Sequence, residues 1–213
     1  TLAELQATHH NTLETVEPNL IQLQTEPGFA ISQTPYLIKT DNGNVLWECN
    51  SLIDDATVEA INEQGGLRAI AISHPHFYDS MIEWSHAFGG IPIYLHADNR
   101  QWVMRPDDVV QFWDGETFDL GDGLTIIRCG GHFEGSSVLH WADGAEGRGV
   151  LLTGDTIRTL CEDSILLHAA HAYTENEWWN WTDMNTSNTS TPNSLPGNLR
   201  YVFIDRENQG IAT

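Results

Sequence analysis

Two histidines separated by a single proline are the residues of this chain best suited to chemistry. His74 and His76 directly follow the short apolar run 69–72. Side chains at positions i and i+2 of an extended backbone point the same way, so both imidazoles can face one point in space. Pro75 fixes its own φ and favours an extended His74. The pair therefore predicts a metal site, for zinc or iron in preference to magnesium or calcium.

Two later positions repeat the pattern of a polar side chain that directly follows an apolar run. His132 comes after two glycines and Asp155 after one. Glycine permits the sharp turns and close backbone approach that are needed to aim a ligand. Three imidazoles and one carboxylate form a suitable ligand set for zinc that leaves room for water. We therefore expect His132 and Asp155 to converge with the histidine pair at one edge of a layered fold.

Composition limits the classes of partner. The chain has 213 residues, 40% of them hydrophobic, which is enough for the core of one domain spanning 1–213. A formal charge of −21 leaves no basic footprint for nucleic acid or an anionic membrane surface. Cys49, Cys129 and Cys161 form no C-x-x-C pair, and we expect no signal peptide or membrane span. The prediction is a cytoplasmic protein with a small-molecule partner.

Apolar runs and turn residues predict strands that alternate with helices before a series of further strands. The expected strands are 16–23, 36–40, 45–49, 67–73, 91–96, 117–120, 124–129, 137–141, 149–153 and 199–204. Helices are expected at 54–63, 79–88 and 99–104, with another that begins near Thr174, and 185–198 is expected to be a polar loop or linker. This order predicts α/β sheets covered by outer helices.

The motifs S-H-P-H, G-G-H and L-L-T-G-D-T, in this order and among these elements, resemble those of the metallo-β-lactamase fold superfamily of metal-dependent hydrolases. The resemblance covers about residues 16–157. It implies a four-layer αβ/βα sandwich with a metal site at one edge, between the two sheets. It also implies that His74, His76 and His132 hold the first metal, while Asp155 reaches toward a second metal or a bridging water.

The chain departs from the H-x-H-x-D-H motif of that family in one place. Tyr78 and Asp79 stand where the family has aspartate and then histidine. The family also has a histidine far beyond the Gly-Asp motif. The candidates for it here are His168 and His171, which lie closer to that motif than the family's histidine does. The departure predicts a single-metal centre, with zinc first and iron or manganese as alternatives. Asp79 is a candidate substitute for the missing aspartate, and Tyr78 a candidate donor to a developing oxyanion.

The expected activity is hydrolysis by a metal centre that lowers the pKa of water to about 7 and supplies hydroxide at neutral pH. Asp155 would orient the hydroxide or take its proton, with Tyr78 and Asp79 as further catalytic candidates. The expected substrate is a small-molecule ester, lactone, thioester or amide. Two alternatives stay open. One is an iron-dependent oxidoreductase on the same fold, and the other is a non-catalytic binding domain with a degenerate metal site.

Overall fold

The computed structural model describes residues 1–156 and 202–204, the second range by its backbone alone. Its strands are β1 (His10–Glu17), β2 (Leu20–Glu26), β3 (Tyr36–Ile38), β4 (Val45–Trp47), β5 (Ala69–Ala71), β6 (Ile93–His96), β7 (Val110–Trp113), β8 (Thr117–Gly121), β9 (Leu124–Arg128), β10 (Ser137–Trp141), β11 (Val150–Leu152) and β12 (Val202–Ile204). Its helices are α1 (Leu2–Gln6), α2 (Asp55–Glu63), α3 (Met81–Ala87) and α4 (Gly144–Gly147), with 3₁₀ turns at Pro75–Phe77 and Ala97–Trp102.

These strands form two sheets. The first has seven strands in the order β1-β2-β3-β4-β5-β6-β7, and the second has the order β12-β11-β10-β9-β8. Strands β1 to β4 pair antiparallel, whereas β4 to β7 pair parallel. Parallel neighbours require crossover connections, which here contain α2 and α3. The carboxyl ends of β4, β5 and β6 consequently lie at the same edge of the sheet.

Alternating side chains of the first sheet pack into two apolar layers. Trp47 faces the second sheet and packs in one cluster with Leu139 and Leu152. Its neighbour Leu46 points the opposite way and packs with Ile61 of α2 and Trp84 of α3. The described residues therefore stack as helices, sheet and sheet. This arrangement confirms the fold class predicted from the sequence.

Helix α2 shows how the local sequence sets an element boundary. The carboxylate of Asp54 accepts hydrogen bonds from the backbone N–H and the hydroxyl of Thr57, at 2.7 and 2.6 Å, and so caps the first turn. The helix gives way to Gly65 and Gly66, with φ values of 108° and 72°. Glycine adopts this left-handed conformation without steric cost, which lets the chain turn toward β5.

The amino-terminal part of the fold corrects two expectations. The predicted strand 16–23 is wrong, because β1 and β2 form a hairpin that turns at Pro18 and Asn19. Asn19 has a φ of 65°, which asparagine tolerates better than most residues. Strand β7 was not predicted, and it pairs parallel to β6. Its short apolar run lies between acidic residues, which favours a loop when the sequence is considered alone.

Several expectations concern the carboxyl-terminal part of the chain. The helix that begins near Thr174 and the polar segment 185–198 lie outside the described residues. Within the predicted strand 199–204, residues 202–204 form β12, which pairs parallel to β11. Among the helices that the structure describes, none has both the length and the apolar character needed to cross a membrane.

Arg68 links the turns of the two sheets at the edge opposite the carboxyl ends of β4 and β5. Its Nε donates to the carbonyl of Gly43 at 3.0 Å, in the connection between β3 and β4. Its Nη2 donates to the carbonyl of Leu120 at 2.9 Å and to the carboxylate of Asp122 at 3.1 Å, both at the β8–β9 turn. One guanidinium therefore satisfies three acceptors from both sheets.

We expect Arg68→Ala to lower the free energy of unfolding by about 2 kcal/mol, because it removes the three hydrogen bonds by which one guanidinium joins the two sheets. Urea unfolding of the metal-free protein measures this. The control is Arg148→Ala, since the Arg148 Nε donates within its own turn to Ala145 at 3.0 Å. That change should cost less than about 0.5 kcal/mol. Equal costs for the two variants would show that Arg68 does not link the sheets.

Candidate metal centre

Four side chains of the described residues bring possible ligand atoms within 4.8 Å of one another: His74, His76, His132 and Asp155. They are the four that the sequence predicts as metal ligands. His74 is fully buried, His76 is 46% exposed, and Asp155 is 21% exposed at its side chain. The group thus has a closed side within the fold and an open side toward solvent.

The three imidazoles stand around a common point. Their ring centroids are 4.9 Å apart for His74 and His76, 4.8 Å for His74 and His132, and 4.9 Å for His76 and His132. Nδ1 of His76 lies 3.3 Å from Nε2 of His132. Two nitrogens bound at about 2.0–2.1 Å to one tetrahedral zinc ion would lie about 3.3 Å apart. The observed spacing fits a shared metal ion.

Asp155 completes the group from the second sheet. Its Oδ2 lies 3.2 Å from Nε2 of His74 and 3.7 Å from Nδ1 of His76. Burial, followed by the neighbouring His74 and His76, lowers the pKa of His132 to about 4. His132 is therefore neutral at physiological pH, and the neutral ring is the form that binds a metal. The donor set fits a divalent ion in both its chemistry and its spacing.

The backbone around the histidine pair is only partly extended. His74 has φ −163° and ψ 169°, but His76 lies within the 3₁₀ turn Pro75–Phe77. The expectation that both histidines continue a strand is thus correct for His74 and wrong for His76. Nδ1 of His74 is 2.7 Å from the hydroxyl of Ser73. A proton on Nδ1 can be donated to this oxygen, which leaves Nε2 free of a proton and directed toward Asp155.

A tight loop between β9 and β10 carries His132. Gly130 and Gly131 have φ values of 67° and 83°, which a side chain would strain. The backbone N–H of Gly130 donates to the carbonyl of Ser136 at 2.9 Å and closes the loop. The buried Asn99 then accepts a hydrogen bond from the N–H of Gly135 at 3.0 Å. The loop is therefore held from both sides.

Gly154 allows Asp155 to approach the histidines. Its φ is 51°, and a Cβ at this position would lie 2.5 Å from the Ser73 hydroxyl and 3.1 Å from Oε1 of Glu48. Any larger residue would collide with these groups. Steric contact with Ser73 and Glu48 thus explains why glycine precedes the aspartate in the sequence.

Glu48 supports the site and was not predicted from the sequence. It is 2% exposed, and its carboxylate oxygens accept from the backbone N–H of Ser73 at 3.3 and 3.2 Å. Burial raises the pKa of Glu48 well above its usual range, and the nearby charge of Asp155 adds to the effect. Glu48 directly follows the apolar strand β4, so the rule that identifies the histidines could have identified it too.

Asp79 and Tyr78, the other predicted site residues, are engaged elsewhere. The Asp79 carboxylate accepts hydrogen bonds from the hydroxyl of Ser51 and, at 2.9 Å, from the N–H of Ser80. Asp79 is not part of the group of four. Tyr78 is buried beside Asn99, and burial raises the pKa of its hydroxyl, which stays protonated. Catalytic roles for both stay predictions, and His168 and His171 lie outside the described residues.

The architecture is that of the metallo-β-lactamase fold. The crystal structure of the DIM-1 metallo-β-lactamase superposes with a TM-score of 0.59 at 16% identity, over 73% of this chain and 74% of that one. MEM-A1, a subclass B3 metallo-β-lactamase from a soil metagenome library, superposes with a TM-score of 0.50 at 16% identity, over 66% of this chain and 61% of that one. Similarity at this level of identity establishes the fold.

Sequence comparison gives a nearer relative whose function is not described. The uncharacterized protein YmaE of Bacillus subtilis (strain 168) is 50% identical over 147 residues, which is 69% of this chain and 53% of that protein. The chain thus matches about half the length of that relative. No protein-family model matches the chain.

We expect Ser73→Ala to weaken zinc binding about 10- to 100-fold, because it removes the oxygen that orients the ring of His74. Competition with a chromogenic chelator measures the affinity. Ser85→Ala is the control. Ser85 lies on α3, and its buried hydroxyl donates to the carbonyl of Ile91 at 2.5 Å. Both variants should lose similar stability, but only the first should lose affinity. Unchanged affinity in Ser73→Ala would show that its hydroxyl does not orient the ligand.

Proposed function

We propose that the chain is a metal-dependent hydrolase of small molecules that contain an ester, lactone, thioester or amide carbonyl. The observation that carries the proposal is the group of four donor atoms within 4.8 Å, in a metallo-β-lactamase fold. A metal held there would polarise the carbonyl and lower the pKa of water to about 7. Zinc is the proposed ion, because three imidazoles suit it and leave a fourth position for water.

The position of each side chain in the site indicates the role proposed for it. The imidazoles of His74, His76 and His132 would hold the metal, and the burial of His74 excludes water from one side. Asp155 would accept a proton from the attacking water at Oδ2, the oxygen that lies 3.2 Å from His74. At 21% exposure, the carboxylate can be reached by water from the open side.

A small-molecule substrate is favoured over nucleic acid or a membrane surface. With a formal charge of −21, the chain repels polyanions at long range. The described basic side chains are also already engaged, as in the pairs Arg105 with Glu83 and Arg128 with Asp98. Neither pair leaves a cationic patch beside the proposed centre.

Purified, dialysed protein should retain about one zinc ion per chain, because the described donors form a single group. Elemental analysis measures the content, and a chelator should abolish ester hydrolysis that added zinc then restores. His132→Ala should lose the metal, while the control His86→Ala should keep it, since the exposed His86 pairs with Asp107 at 3.0 Å. Two tightly held irons would favour the oxidoreductase, and protein without metal the non-catalytic binding domain.

Asp155→Asn should lower kcat for a hydrolysed ester by about 100-fold or more, since the amide cannot take a proton from water. The variant keeps the side-chain volume and one oxygen, so we expect most of the zinc to stay bound. Steady-state kinetics and metal content are measured on the same preparation. If the metal is lost, Asp155 is an indispensable ligand, and if kcat is unchanged, another group accepts the proton.

A further inference from the structure

We propose that Trp102 and Phe133 form an aromatic wall that binds the apolar acyl chain of a neutral substrate beside the metal centre. This inference rests on the proposed hydrolase function and specifies its substrate class. The wall would make the site select for substrates with longer uncharged acyl chains, against short acyl groups and against chains that end in a carboxylate.

Phe133 is the inner part of the wall and lies directly on the candidate ligands. Its ring centroid is 4.8 Å from that of His132, 5.2 Å from that of His76 and 5.8 Å from that of His74. It follows His132 in the loop, and its backbone N–H donates to the Ser136 hydroxyl at 2.8 Å. A group attached to a carbonyl at the metal centre can therefore contact this half-buried ring.

Trp102 extends the wall outward. Its ring meets Phe133 edge-on, with centroids 5.5 Å apart and planes at 80°. Trp102 closes the 3₁₀ turn Ala97–Trp102 and is 47% exposed. An indole half open to water beside a group of potential ligands offers apolar area that a ligand can cover. Together the two rings form a continuous surface that leads away from the histidines.

Charges near the wall select against anionic substrates. Glu134 follows Phe133 and is exposed, and Asp98 lies near the start of the turn that ends in Trp102. Asp98 is paired with Arg128 at 2.8 Å, so these two side chains neutralise each other and leave Glu134 as the unpaired charge of the two. Of the six basic side chains in the described residues, Arg68, Arg105 and Arg128 pair with carboxylates, whereas Lys39, Arg100 and Arg148 contact neutral groups. A terminal carboxylate on the acyl chain would meet the exposed carboxylate of Glu134 and the net charge of −21 of the chain.

The first test measures binding without turnover. Calorimetry on the zinc-loaded protein compares 2-octanone with 2-butanone, two neutral carbonyl compounds that cannot be hydrolysed. A buried methylene is worth about fourfold in affinity, so two methylenes on the wall make 2-octanone bind about tenfold or more tightly. Trp102→Ala should remove most of this preference and Trp102→Phe should keep part of it. Met104→Ala, which removes an apolar side chain that is 85% exposed, should leave it unchanged.

The second test measures hydrolysis of p-nitrophenyl esters. The ratio of kcat/KM for the hexanoate to kcat/KM for the acetate should fall about tenfold in Trp102→Ala. The fall should come from a lower kcat/KM for the hexanoate. The monoester of adipic acid, which has the same chain with a terminal carboxylate, should be a poorer substrate than the hexanoate.

The outcomes separate the two proposals. Hydrolysis with a chain-length ratio that Trp102→Ala leaves unchanged would overturn the wall and leave the hydrolase intact. Chain-length-dependent ketone binding without hydrolysis of any ester, lactone, thioester or amide would overturn the hydrolase and support the wall as a binding surface. Equal binding of the two ketones by the unmodified protein would overturn the wall whatever the activity.

Discussion

Ser73 is the point at which the strands that carry the candidate ligands meet. Its N–H donates to the Glu48 carboxylate at the end of β4, and its carbonyl accepts from the N–H of Ser137 at 3.1 Å, at the start of β10. Its hydroxyl bonds to Nδ1 of His74, and Gly154 after β11 packs against the same hydroxyl. The two sheets are therefore joined by hydrogen bonds at the place where the histidines and Asp155 must be positioned.

This junction explains why polar groups lie inside an apolar sandwich. Ser73, His74 and Ser137 are each at most 1% exposed, and burying such groups is costly unless they are hydrogen-bonded. Each of them has a partner, so the cost is offset and the geometry is fixed at the same time. A ligand whose ring is held by packing and by a neighbouring hydroxyl needs little reorganisation to bind an ion. The candidate centre is thus rigid on its buried side.

The sequence could predict the ligands because each follows an apolar run, and the ends of buried strands gather at one edge of a sheet. It could not show that Glu48 meets Ser73, since this depends on the parallel register in which Trp47 lies opposite Ala71. The pairing of β1 with β2 was missed because of the turn between them. A predicted strand that ran through Pro18 and Asn19 kept the apolar pattern but ignored the turn chemistry of these residues.

The loop that departs from the family motif is built into the packing of the fold. Asp79 is held by Ser51 through its carboxylate and by Arg105 through its carbonyl. Tyr78 is turned inward toward Asn99, which also holds the loop of His132. Asp79 is not among the side chains whose ligand atoms lie within 4.8 Å of one another, so it would have to move to ligate the same ion. The positions that differ from the family thus pack around the site, while the four converging side chains form the candidate metal centre.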